Sequence, residues 1–552
     1  MVSAVTVYPA RKIITMNPSR PEAEMVAIRD GRVLGVGSLE EVEGWGQYEI
    51  DRTFENKFLM PGLIEAHCHC NAGALWKYPY VGFFDRYAPD NHPWPGCKSI
   101  EEVIGRLVDI EAQMGDSEEP LIGWGLDPIY FGGERMVAAH LDRVSTSRNI
   151  FIYHANGHLA TVNTALMRNF GIDDTTNVEG VPKGTDGMPT GELQEHKAMM
   201  LTGDIFNRFL RAYREETTWR NYGREARNAG ITTVADLGFP GLDDDGVAFL
   251  QRTVNDPDYP VRVSVLYGAF MTENPDWEPV AKYVAGLREQ NSEKLRFGIV
   301  KAFLDGSIQA FTARLRAPGY YGRSGNGLWL TPPDNFKNMF LPFHRRGLSI
   351  HCHCNGDEAV DVFLDAIENM LAEASWPDHR HTVQHCQLTT MDQYRRMARL
   401  GVCANIFSNH IFFWGDQHYE VTVGPDRAQR MEASATALQA GVTFSLHSDA
   451  PVTPMGQLHT AWCAVNRLTA SGRTLGENEK ITVYEALKAV TLDAAYTLKL
   501  DHDIGSIEPG KLADFSVLEN DPLSVATIEL KDIPVWGTVL GGKHFPVNRG
   551  ED

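Results

Sequence analysis

Eight short apolar and β-branched runs recur through the middle of the chain: LMPGLIEAHCH (59–69), ITTVADLG (231–238), VRVSVLYG (261–268), RFGIVKAFLDG (296–306), LSIHCHC (348–354), HTVQHC (381–386), GVCANIF (401–407) and VTFSLHSDAP (442–451). Between several of them the period changes to that of an amphipathic helix, as in EAVDVFLDAIENMLAEA (358–374) and TMDQYRRMARL (390–400). Strands alternating with helices predict an α/β fold. Eight such units predict a parallel (β/α)₈ TIM-like barrel, over 61–504, with chemistry at the C-terminal ends of its strands.

Residues 4–60 read instead as short β-segments with turns, and so does the far C-terminus, where IGSIEPGKLADFSVLEND is followed by PVWGTVLGGKHF. Neither end has enough strands to bury a face alone. The two are expected to join, 1–60 with 505–552, as one small β-sandwich domain. About 160 residues separate the first barrel run from the second, far more than a crossover needs, so an insertion is expected at about 71–220. Its start is aromatic, with Trp76, Tyr78, Tyr80, Phe83, Phe84, Tyr87 and Trp94. These residues suit either the insertion's own core or the lining of a substrate site.

Acidic residues outnumber basic ones by 72 to 51 and no Lys/Arg-rich block occurs, which disfavours nucleic acid and anionic membrane as partners. The first residues contain no secretory apolar core and no run is long enough to span a bilayer, so the cytoplasm is the default expectation. The eight cysteines show no disulfide-framework spacing, in keeping with a reducing compartment.

Two runs alternate histidine with cysteine, EAHCHCN (65–71) and SIHCHCN (349–355). A thiolate site and an imidazole site are the two readings. Alternate strand residues face opposite sides, so His67 and His69 share one face while Cys68 and Cys70 share the other. Other polar residues at the strand ends decide in favour of the imidazoles: His353, His385, Lys301 inside an apolar strand, and Asp449 just ahead of a proline. Neutral imidazole and carboxylate suit Zn²⁺ foremost, with Mn²⁺, Fe²⁺ and Ni²⁺ as alternatives. Cys68, Cys70, Cys352, Cys354 and Cys386 then serve as small buried hydrophobes. An unpaired buried ammonium is costly; carbamylation of Lys301 by CO₂ would turn it into an anionic bridge between two cations.

MPGLIEAHCHC resembles the first-strand signature of the amidohydrolase superfamily. VKAFLDGS, HCHCNGDEAV, VQHCQL, SDAPVTPMGQL, ITVYEALKAVTLDAAYTL and IGSIEPGKLADFSVL follow in the order of its family 3, the YtcJ-like branch that includes N-substituted formamide deformylases. ANGHLATVNTALM and GMPTGELQE are similar to segments of that branch's insertion, so the resemblance covers nearly the whole chain. It implies one or two divalent cations, with His67, His69 and Asp449 on one, His353 and His385 on a second, and carboxylated Lys301 between them. It implies a substrate contact for His158. The reaction expected is hydrolysis of a non-peptide C–N bond, an amide or N-substituted formamide, by a metal-activated hydroxide with Asp449 as proton shuttle. The partner expected is a small molecule with an aromatic or hydrophobic part, and the resemblance allows a homo-oligomer. A mononuclear deaminase acting on a small amino-substituted ring, and a non-catalytic metal-binding protein, are the alternatives. His351 and His447 depart from the small or apolar residues of the family pattern; both have the inward parity of a ligand, and each reads either as a pocket residue or as a substitute ligand.

Overall fold

At Gly62 the backbone passes so close to Thr232 that a Cβ would sit 1.8 Å from Thr232 Oγ1. Only glycine fits, and there the run at 59–69 divides into two strands, Phe58–Pro61 and Leu63–Cys68. The computed structural model describes residues 4–132, 134–239, 242–269 and 276–547; the ends of the expected terminal domain, 1–3 and 548–552, lie outside the described residues.

The eight central runs form Leu63–Cys68 (β1), Ile231–Phe239 (β2), Arg262–Gly268 (β3), Ile299–Phe303 (β4), Ser349–Cys354 (β5), Thr382–His385 (β6), Cys403–Ile406 (β7) and Phe444–Leu446 (β8). They pair in chain order and all in parallel. Between β8 and β1 the bonds lie around the strand ends: Asp449 N–H donates to the carbonyl of His67 at 3.1 Å and His69 N–H to that of Ala450 at 2.8 Å. The result is a nearly closed eight-stranded parallel barrel.

Parity follows from what each face meets. Ile64 and Ala66 of β1 pack with Ala235, Leu237 and Leu266 against Ala494, Ala495 and Leu498 on the helical layer. The odd residues Glu65 and His67 therefore turn inward. Helix Asp357–Glu373 buries Ala359, Val360, Phe363, Leu364, Ile367 and Met370, the three-and-four spacing of one apolar face. Helix Met391–Leu400 opens with a capping box between Thr390 and Gln393 and stops at left-handed Gly401.

The two chain ends join where Phe58–Pro61 runs antiparallel to Phe515–Leu518. The expected sandwich is, by hydrogen bonding, one continuous eight-stranded sheet. Tyr8, Ile13, Val26, Ile28, Phe54, Leu59, Phe515 and Val539 form one core, and Val5, Val7, Ala27 and Val42 another. Arg262 of β3 ties this sheet to the barrel through a buried two-bond ion pair with Asp514, at 2.6 and 2.9 Å.

The chain divides into two compact units: 1–69, 226–450 and 455–552 form one, and 70–225 with 451–454 the other. The second contains a four-stranded sheet of Leu121–Leu126, Ile150–His154, Leu159–Val162 and Glu192–Gln194. Tyr80 is buried in this unit's core with Trp124, Phe151 and Phe209, and Trp76, Tyr78 and Trp94 pack against it. Much of the aromatic run is thus internal to the insertion. Tyr87 is exposed, and Phe83 stacks on Tyr130. Among the described residues no helix is long and apolar enough to cross a membrane.

Candidate metal centre

The inward residues of β1 meet the end of β8. His67 Nε2 lies 3.4 Å from Asp449 Oδ1, and His69 Nε2 lies 3.2 Å from the same oxygen. Lys301 on β4 is fully buried and brings Nζ to 3.4 Å from His67 Nε2. His385 at the end of β6 places Nδ1 3.8 Å from Asp449 Oδ2 and 3.2 Å from His447 Nε2. Two overlapping donor groups result, His67–His69–Asp449 and His67–His385–His447. No cysteine belongs to either among the described residues; all eight are buried and outside any disulfide.

Backbone strain aims these groups. His385, Cys386 and Asp449 have φ of 74°, 56° and 53°, in the left-handed region that costs a non-glycine residue about 1–3 kcal/mol. Strand alternation ends there.

His67 is oriented by Gln384, whose Oε1 accepts from His67 Nδ1–H at 2.7 Å and from Asn405 Nδ2–H at 2.8 Å. Gln384 Nε2 donates to His351 Nδ1 at 2.9 Å. With its proton on Nδ1, His67 presents a lone pair at Nε2. Beneath it Glu65 accepts from His67 N–H at 3.1 Å and from the backbone and hydroxyl of Ser448. Burial pushes the Glu65 carboxyl up to about 8, against those hydrogen bonds. Gln384, Asn405 and Ser448 were not among the candidates read from sequence. The one signal for Gln384 and Asn405 is a polar amide inside a buried apolar strand.

Burial first, and then neighbouring positive groups, hold His67, His385 and His447 well below the ordinary imidazole range, so all three are neutral, as ligands must be. Burial brings Lys301 down to about 8, with Asp449 opposing. His385 Nε2, His447 Nδ1 and Asp449 Oδ1 are buried without a hydrogen-bond partner among the described residues. A buried carboxylate oxygen with imidazole nitrogens of His67 and His69 at 3.4 and 3.2 Å fits a divalent cation.

His353 stands beside this cluster. Its ring centroid is 4.4 Å from that of His385, while its Nε2 lies 3.0 Å from the carbonyl of Gly306 and from Asn355 Nδ2. Asp305, pushed up to about 7 by burial, holds that loop by accepting the N–H groups of Arg314, Asn355 and Gly356. His158 belongs to the second unit, where its Nδ1 is 3.0 Å from Glu195 Oε2. Glu195 is itself left-handed, at φ 64°.

The profile of the amidohydrolase family matches residues 54–545. The chain is 28% identical over 97% of its length, and 90% of the other's, to protein LONG AFTER FAR-RED 3 of Arabidopsis thaliana. It is 24% identical to the N-substituted formamide deformylase of Arthrobacter pascens, over 94% of each. A solved structure of an uncharacterized metal-dependent hydrolase from Pyrococcus horikoshii OT3 shares the fold, with a TM-score of 0.72 at 21% identity over 95% of this chain and 99% of that one. Barrel, donor cluster and profile agree, and the chain belongs to the amidohydrolase family.

Proposed function

We propose that this protein is a metal-dependent hydrolase of a non-peptide C–N bond, with an N-substituted formamide or related amide as substrate. The observation that carries the reading is the meeting of His67, His69 and Asp449 at the C-terminal ends of β1 and β8, with donor separations of 3.2 and 3.4 Å. The name of the Arthrobacter pascens relative supports the substrate class.

His67, His69 and Asp449 would hold one cation, with Zn²⁺ the ion best suited to this donor set. His385 and His353 would serve a second, and Lys301 as its carbamate would bridge them. A cation there supplies Lewis acidity, which makes water acidic enough to attack near neutral pH and polarises a carbonyl. Asp449 takes the proton released by the attacking water on a carboxylate oxygen and delivers it to the leaving nitrogen. Gln384 keeps the His67 proton on Nδ1 throughout. Lys301 near pKa 8 retains enough neutral amine to react with CO₂. His158 is the substrate-contacting residue of this proposal, from the motif resemblance.

The test is formate release from N-benzylformamide by protein purified without chelator, with metals counted by mass spectrometry. Turnover in the wild type, lost in Asp449→Asn while the metal is largely retained, is the expected result. Full activity in Asp449→Asn removes the shuttle. One metal per chain, with ammonia released from aminated rings and no amide turnover, replaces the proposal with the deaminase reading.

A further inference from the structure

We propose that His447 is a metal ligand, paired with His385, at a position to which the family motif assigns no donor. The inference rests on the second cation of the preceding proposal, the one served by His385, and not on its substrate.

The spacing is the first ground. A tetrahedral Zn²⁺ with bonds of about 2.0–2.1 Å separates its donor atoms by about 3.3–3.4 Å. His385 Nδ1 and His447 Nε2 are 3.2 Å apart. The two contacts of Asp449 Oδ1 with His69 and His67 measure 3.2 and 3.4 Å. All three are edges of the size a coordination shell imposes. The His67 ring centroid lies 4.6 Å from that of His447 and 4.7 Å from that of His385, and one donor nitrogen from each of the three lies within 4.8 Å of the others.

Proton counting is the second ground. An ordinary hydrogen bond between His385 and His447 would place one proton between the two rings. It would do nothing for Asp449 Oδ1, buried without a hydrogen-bond partner among the described residues, whereas His67 Nε2 has Lys301 Nζ at 3.4 Å. Three acceptor atoms, His385 Nδ1, His447 Nε2 and Asp449 Oδ1, then share a single hydrogen in a buried space, an arrangement with a desolvation cost. A divalent cation offers all three a common partner.

The third ground is what β5 does instead. The histidine that the motif nominates, His353, commits Nε2 to the Gly306 carbonyl and could serve the second cation only through Nδ1. His447, fully buried one residue past the end of β8, points Nε2 into the donor cluster. The chain therefore gathers more imidazole from β8 than the family pattern implies.

Anomalous diffraction at the zinc edge from crystals of the zinc-loaded wild type tests this without any variant. A peak within about 2.3 Å of His447 Nε2 is expected; zinc bound elsewhere, with that nitrogen beyond 3 Å, overturns it. In solution, zinc affinity of His447→Asn and His447→Phe should fall at least tenfold, and the visible spectrum of the cobalt-substituted protein should change. Folded variants with wild-type affinity and spectrum overturn the inference. A wild type that binds no zinc rejects both proposals. A wild type that binds zinc through His447 yet cleaves no amide rejects the reaction alone.

Discussion

Replacing Gln384 with leucine removes, at nearly constant volume, the amide that links β1, β5 and β7 through β6. His67 Nδ1–H and His351 Nδ1 lose the partners they have at 2.7 and 2.9 Å, whereas Asn405 keeps the carbonyl of Ala66 at 3.3 Å. At about 1–3 kcal/mol for each buried polar group left unsatisfied, the two together cost about 2–6 kcal/mol. His67 is also free to exchange tautomers, which presents an N–H where a lone pair is needed. Loss of such an orienting partner weakens metal binding about 10- to 100-fold, or about 1.4–2.8 kcal/mol. Gln384→Glu is the control, because it keeps the acceptor for His67 and Asn405 and loses only the donor to His351. Zinc competition against a chromophoric chelator and urea unfolding of the metal-free protein read the two effects separately. Wild-type zinc affinity in Gln384→Leu, with less than about 1 kcal/mol lost on unfolding, would refute the orienting role.

Lys301→Met should lower metal content in protein grown and purified with bicarbonate, and a short-chain carboxylic acid should not restore what the long apolar side chain now occupies; unchanged metal content refutes the bridge. Arg262→Met strands Asp514 at 3% side-chain exposure, for a loss of about 3–5 kcal/mol in urea unfolding. The double variant with Asp514→Leu should recover most of it, and simple addition of the two losses would count against a coupled pair. Acid lability has a separate source. His381 Nδ1 accepts from Ile350 N–H and His379 Nδ1 from His381 N–H, both at 2.9 Å, while His379 Nε2 meets the Leu400 carbonyl at 2.7 Å. Burial holds both imidazoles below their ordinary range, and the unfolded chain takes up protons below about pH 6.5. Their stabilisation is therefore complete above that pH and declines as pH falls, by up to about 1.4 kcal/mol per pH unit for each. Urea midpoints at pH 7.5 and 5.5 should converge in His381→Gln relative to the wild type; equal slopes would refute the assignment.

The barrel was legible because strands buried on both faces leave continuous β-branched runs, and eight of them spaced by helical periods admit few other arrangements. Parity alone turned His67 inward and Cys68 outward, and burial of Ile64 and Ala66 against the helices bears this out. The aromatic start of the insertion was not decidable, since a core tryptophan and a substrate-facing one look alike in sequence. Tyr80 and its neighbours pack into the insertion's own core.

What only the tertiary structure decided is which donors converge. Asp449 and His67 are 382 positions apart and meet because the barrel nearly closes between β8 and β1. Gln384 reads as a stray amide until β5 and β7 beside it, and β1 across the barrel, supply its three partners. Period-two alternation holds while the backbone stays extended, and it stops at His385 and Asp449, where left-handed φ values of 74° and 53° re-aim the side chains. Neither residue is a glycine, so no local signal announces the turn. The composition of the site was thus written along the chain, and its geometry depends on strain that only the packed barrel can hold.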